Sequence, residues 1–363
     1  MNTPKLPEEI DPNLQIVTIN GKNLTYWDIT KSPFAISGFA WFEQEHTFCR
    51  LPQAILPETN EGVQCLAWHT AGGLVRFKTD SRTIGLKAKL LSADSMPHMP
   101  NSGLSGFDLY VGVGKNKRFC GKAVAPCGSA EVNELMLQDT DGGMREYTLN
   151  FPLYNGVESV CLALDPEASV ETPTAYEVDK PVLFYGSSIT QGGCASRPGN
   201  AYTNHLCRWL DAPMINLGFS GSARGETIMA ETIASLDLGA FVLDYDHNAP
   251  TVEHLEKTHE AFFKTFRAKS PATPVVFMSK PDCDGNLKNS ELRHQIIRQT
   301  YENAKTAGDR LVTFVDGATL FGNTNRDACT VDGCHPNDLG FMRMAETIYP
   351  VLAQALLPTS QSC

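Results

Sequence analysis

The sequence predicts an all-β domain followed by an α/β domain, on three observations. Residues 12 to about 165 break into short runs rich in β-branched and aromatic residues. A stretch rich in proline and acid follows. Beyond it, apolar strand-like runs alternate with helical ones, the pattern of a parallel sheet with helices on both faces.

Taken in order, the expected strands of the first part are Leu14–Ile19, Leu24–Trp27, Phe39–Phe42, Gly62–Thr70, Leu74–Thr79, Thr83–Leu90, Gly106–Val113 and Ser159–Leu164. Gly, Pro, Asn and Asp separate them, and no long 3.6-residue stripe interrupts them, so a β-sandwich or jelly roll over residues 1–165 is expected. Residues 166–180 read as an extended linker, because Pro166–Pro181 holds three prolines and four acidic residues. In residues 181–363 the expected strands are Val182–Tyr185, Met214–Leu217, Phe241–Tyr245, Val275–Met278 and Leu311–Val315. The expected helices are Ala201–Leu210, Glu226–Leu236, Val252–Ala268, Ser290–Ala307 and Asp338–Leu356.

Composition narrows the function. Of 363 residues 42% are hydrophobic and 20% charged, as in an ordinary globular protein. A net charge of −11 argues against nucleic acid or an anionic membrane as partner, since both need basic patches. No run approaches the ~20 apolar residues of a membrane span. The start, Met1–Pro12, lacks the apolar core of a secretory signal, and a cytoplasmic location is expected. Eleven cysteines lie scattered without C-x-x-C spacing, which predicts reduced thiols with no zinc site, metal or cofactor.

The chemistry is expected to gather at Val182–Gln191. Four apolar residues form a strand buried on both faces, and Gly186 then lets the chain turn sharply. The turn lifts Ser188 over the carboxyl end of the sheet, where open α/β folds place their sites. A serine hydroxyl needs a base, and Asp332-Gly-Cys-His335 supplies a histidine with a carboxylate three residues away to orient it. Gly221, after the second strand, can offer its N–H to an oxyanion, and Asn248, after the third, its side-chain amide. The spacing Asp244-x-Asp-x-Asn248 superficially suggests calcium, but Ala249 stands where such a loop needs glycine. Asp282–Asn286 is likewise a turn in the wrong register, without the closing glutamate. His247 adjoins Asn248 and is expected to touch substrate, and His98, in Met96–Pro100, to face the cleft from the first domain. His205, His254, His259 and His294 lie in helical segments and are expected at the surface.

In order and spacing the four segments resemble the blocks of the SGNH (GDSL-type) hydrolases. Gly186-Ser-Ser-Ile-Thr190 is similar to the G-D-S-[LI]-T block with Ser187 in place of aspartate, and Asn216–Gly221 to the glycine block. Tyr245–Asn248 stands at the asparagine block, with Asp246-His247 in place of glycines, and Asp332–His335 resembles the D-x-x-H block. Gly106-Phe-Asp-Leu-Tyr110 matches the motif that names the GxDLY β-domain of one SGNH esterase group. The resemblance implies a three-layer α/β/α, flavodoxin-like domain with a five-stranded parallel sheet. It implies Ser188 as nucleophile, His335 as base and Asp332 as its orienting carboxylate, with the Ser188 and Gly221 N–H groups and Asn248 as oxyanion hole. Gln191 and Tyr110 complete the substrate-contacting set expected of this chain.

The function expected is hydrolysis of a short acyl ester, acetyl on a carbohydrate or another small alcohol. Acyl transfer by the same residues, and a non-catalytic carbohydrate-binding scaffold, are the alternatives. The partners expected are a small acyl ester or acylated carbohydrate, with a homo-oligomer admitted and no nucleic acid or membrane.

Overall fold

Alternation of buried and exposed residues shapes the amino-terminal part into two antiparallel sheets. The computed structural model describes residues 16–19, 21–281, 283–285 and 287–357. Leu14, Gln15, Asp282, Asn286 and the Met1–Pro12 stretch lie outside the described residues. One sheet has the order β1 (Ile16–Ile19), β2 (Lys22–Asp28), β10 (Val157–Leu164), β5 (Ile84–Leu90), β8 (Glu131–Leu137). The other runs β11 (Val170–Glu171), β4 (Leu74–Thr79), β9 (Arg145–Asn150), β6 (Phe107–Val111), β7 (Arg118–Ala123), with β3 (Ala35–Ser37) also on β4. Leu86 and Leu162 of the first sheet meet Phe77 and Leu149 of the second in one core, while Lys87 and Lys89 stay exposed. Each such buried side chain contributes roughly 1.5–3 kcal/mol.

Two expected strands are not strands. Gly62–Thr70 contains a helix, Glu61–Leu66, whose start is capped by the Asn60 side chain accepting from the Val63 N–H at 3.1 Å. Val63 and Ala67, four residues apart, both face the core that backs the parallel sheet, so their spacing was helical all along. Phe39–Phe42 turns into a short helix, Phe42–Glu45. Its aromatic rings fill a cluster with Phe48 and Phe151 in place of pairing as a strand. Strands β3, β7, β8, β9 and β11 were not anticipated. In β7, β8 and β11 polar residues alternate with apolar ones, as on the outer face of a sandwich. Within the expected linker, Val170–Glu171 pairs with β4, and the Thr174 N–H donates to Glu146 at 2.8 Å.

The carboxy-terminal part holds a five-stranded parallel sheet in the order β13 (Met214–Gly218), β12 (Val182–Gly186), β14 (Ala240–Asp244), β15 (Val275–Met278), β16 (Val312–Val315). Val182 and Phe184 pack on one face with the helices Tyr202–Leu210 and Asp338–Leu356. Leu183 and Tyr185 pack on the other with the helices Thr227–Ile233, Val252–Lys269 and Leu287–Thr306. This is the three-layer, flavodoxin-like arrangement. The chain leaves β12 to one side for β13 and returns to the other for β14, and at such a switch point the two flanking turns splay into a crevice. His205 and His259, expected at the surface, are buried, and His259 accepts or donates to Thr300 at 2.9 Å inside the core. Both side chains face the packed interior, and in Tyr202–Leu210 all but two residues are buried. No helix among the described residues is long and apolar enough to cross a membrane.

Candidate active site

Ser188 opens the short helix Ser188–Gln191 immediately beyond β12. Gly186 is needed there because a Cβ would stand 2.1 Å from Thr190 Oγ1 and 2.5 Å from the Asp244 carbonyl oxygen. Ser187, where the family pattern has aspartate, caps the helix: its Oγ accepts from the Ile189 N–H at 3.1 Å. A hydroxyl therefore does the capping without adding a charge beside the nucleophile. Thr190 and Tyr202 both donate to the buried Asp244, at 2.8 and 2.9 Å. Burial pushes Asp244 up to about 7, against those hydrogen bonds.

Ser188 Oγ lies 2.9 Å from Nε2 of His335, a residue 147 positions away. On the far side of the ring, Nδ1 is 2.7 Å from Asp332 Oδ2. Asp332 Oδ1 accepts from the backbone N–H groups of Cys334 and His335, at 3.0 and 2.7 Å, which fixes the carboxylate under the imidazole. With Nδ1–H donating to carboxylate, Nε2 is left to accept the serine proton. These contacts hold Asp332 down to about 2 despite some burial. His335 is raised to about 9, first by its contact with the Cys334 sulfur and then, against burial, by Asp332. Cys334 is lowered to about 7 by His247 and His335, in opposition to burial. Its Sγ lies 3.1 Å from His247 Nε2.

Gly221 has φ +66°, which favours glycine, and a Cβ there would meet nothing within 4 Å, so its backbone borders open space. The Asn248 amide donates one hydrogen to the Phe219 carbonyl at 2.7 Å, tying the third-strand turn to the glycine loop and leaving a second hydrogen on the same nitrogen. Asp246, in place of a glycine, is buried beside Arg293, whose guanidinium also donates to the Asp246 and Ala249 carbonyls at 2.7 and 2.8 Å. That brace replaces backbone freedom with a fixed turn. The structure also brings His98 to the site, its ring centre 5.9 Å from that of His335.

Gln191 and Tyr110, expected to touch substrate, are both buried in packing. Gln191 is 0% exposed, donating to Leu153 O and accepting from the Ser220 N–H at 3.0 Å. Tyr110 is 4% exposed, packed on Gly199 with its hydroxyl beside Arg197. Its motif joins the two parts of the chain: Asp108 accepts from Arg197 and from the Gly199 N–H, both at 2.9 Å.

Residues 179–353 match the GDSL-like lipase/acylhydrolase family, and residues 24–170 match the N-terminus of SGNH-hydrolase-type esterases. The chain belongs to the GDSL-like, SGNH hydrolases. It is a carboxylic ester hydrolase. A GDSL-like lipase structure from Bacteroides ovatus ATCC 8483 is 28% identical with TM-score 0.83, covering 92% of this chain and 98% of that one. Salicylyl-acyltransferase SsfX3, from a tetracycline biosynthetic pathway, is 18% identical with TM-score 0.76, covering 92% and 98%. An acetyl xylan esterase, Est2A, of the rumen bacterium Butyrivibrio proteoclasticus is 14% identical with TM-score 0.59, covering 91% and 98%. At these last two identities the likeness is one of fold. No curated protein matches the chain in sequence.

Three residues of this SGNH hydrolase escaped the sequence reading, and all come from its amino-terminal part. Arg50 is fully buried and donates to the carbonyls of Asn216, Gly218 and Leu66 at 2.9, 2.7 and 2.7 Å, with its guanidinium 4.6 Å above the Phe219 ring. Burial lowers it to about 9. Tyr154 donates its hydroxyl to the Ser188 carbonyl at 3.0 Å. His69 meets Gln191 at 3.2 Å, and burial together with Arg50 holds its ring down to about 4, hence neutral. Nothing local in the sequence marks them, since Arg50 and Tyr154 serve partners 166 and 34 residues away.

Proposed function

We propose that this hydrolase removes a short acyl group, acetyl foremost, from a carbohydrate or similar alcohol through Ser188, His335 and Asp332. The observation that carries the reading is the continuous line from Ser188 Oγ to His335 Nε2 at 2.9 Å and from Nδ1 to Asp332 at 2.7 Å. His335 takes the serine proton as Oγ attacks the ester carbonyl, and Asp332 stabilises the imidazolium. The Ser188 and Gly221 N–H groups and the second Asn248 amide hydrogen face the oxyanion, where one such donor is typically worth about 3 kcal/mol. His335 then returns its proton to the leaving alcohol, and water releases the acyl group by the reverse steps.

A small acyl group suits the flank beside Asn248. His247 stands where the family pattern has glycine, and its contact with Cys334 narrows that flank. Ser188→Ala should lower turnover of p-nitrophenyl acetate by at least about 10³-fold while leaving the far-ultraviolet spectrum intact. Turnover equal to the parent protein's would refute the serine mechanism. Competing alcohols in the same assay separate hydrolysis from acyl transfer, which would use the same residues. A screen of acetylated sugars then addresses the alcohol.

A further inference from the structure

Beside the Ser188–His335 contact, donors from separate stretches of chain converge on one sulfur. Cys334 Sγ lies 3.1 Å from Nε2 of His247, which is carried by the turn after β14. One ligand atom from each of Asp332, Cys334 and His335 lies within 4.8 Å of the others. Two ligands of a tetrahedral zinc, sulfur at about 2.3 Å and nitrogen at about 2.0 Å, stand roughly 3.5 Å apart, so the Asp332, Cys334 and His335 ligand atoms need only a small adjustment to receive one. Sulfur and imidazole donors favour zinc and its soft neighbours, whereas calcium and magnesium call for oxygen alone. The grouping has no C-x-x-C spacing because His247 and Cys334 are 87 positions apart.

We propose that Cys334, Asp332 and His335, with His247 seated against the sulfur, form an inhibitory site for a thiophilic divalent cation, Zn²⁺ above all. Binding releases the Cys334 thiol proton to solvent and forms a sulfur–metal bond, with a His335 nitrogen or an Asp332 oxygen as the next ligand. Where His335 ligates, the base is lost; where Asp332 does, the imidazole loses its orienting carboxylate. Either choice stops proton transfer from Ser188. The inhibitory half rests on the serine mechanism, and the binding half does not.

Co²⁺ serves as the spectroscopic probe, because a cobalt–thiolate bond adds a charge-transfer band in the near ultraviolet. Cys65 and Cys127 are also exposed, so the reading is the difference between parent and variant proteins. The band should form in the full chain and in Ser188→Ala, and be lost in Cys334→Ser and weakened in His247→Gln. Zn²⁺ should inhibit p-nitrophenyl acetate hydrolysis, a chelator should restore it, and Cys334→Ser should need at least about tenfold more Zn²⁺ for the same inhibition. An unchanged band in Cys334→Ser, or zinc sensitivity equal to the parent's, overturns the site. A full band in a protein that hydrolyses no ester upholds the site and overturns only the serine mechanism.

Discussion

His335 holds its proton more tightly than a free imidazole, to about 9, and the sulfur of Cys334 is the leading cause. A general base works only when unprotonated, so kcat/KM should climb as pH rises towards that value and level off above it. Cys334→Ser removes the leading cause, and the ascending limb should move to lower pH. A pH profile in the presence of a chelator measures this, and a limb that stays in place would show that Cys334 does not tune the base. Asp332 is expected to stay ionised throughout that range, since its own contacts hold it near 2. At this scale Ser188, Asp332 and His335 were legible because each sits in a short block with its own spacing. The Cys334–His247 pair was not, because its members share no local pattern. Gln191 and Tyr110 are buried instead: Tyr110 belongs to a motif that packs the two parts together, and Gln191, just past the serine block, braces the Ser220 turn.

The elements show where a periodic reading succeeds. Five parallel strands were legible as apolar runs because both their faces are covered, and the long helices because their stripes repeat over several turns. In the sandwich the outer face is wet, so β7 and β8 carry charge and escaped notice, while the short helix Glu61–Leu66 passed for a strand. That helix ends at the Leu66 carbonyl, which Arg50 holds together with the end of β13. Hydrogen bonds to a charged donor typically contribute about 1.5–3 kcal/mol each, and carbonyls left buried without one cost more. Arg50→Met should lower stability by about 3 kcal/mol and reduce kcat more than it raises KM, because the loop it steadies carries Gly221. Urea unfolding and steady-state kinetics read the two effects, and unchanged kcat would leave Arg50 a purely structural residue.

Across the whole molecule the two parts meet through apolar residues, Val63, Ala67, Leu104 and Leu153 among them, and through charged and polar groups that are largely buried. Asp108 grips Arg197 and Gly199, and Lys117 pairs with Asp211 at 2.8 Å with both side chains under a tenth exposed. Removing either partner of a buried pair typically costs about 3–5 kcal/mol, and separating the parts would expose all of them at once. A fragment of residues 181–363 should therefore be poorly soluble and hydrolyse p-nitrophenyl acetate at least about tenfold more slowly, its oxyanion loop having lost Arg50. Expression of that fragment with a parallel assay checks this, and full activity would contradict it. The tightness of the join was not legible from composition, since its partners lie 89 to 94 residues apart.

Tyr154 touches the main chain of the nucleophile itself, from the opposite half of the polypeptide. The halves must then be inherited as a pair. A chimaera that grafts a foreign sandwich onto this hydrolase keeps its machinery in trim only if the newcomer presents a phenol and a guanidinium at the same two places.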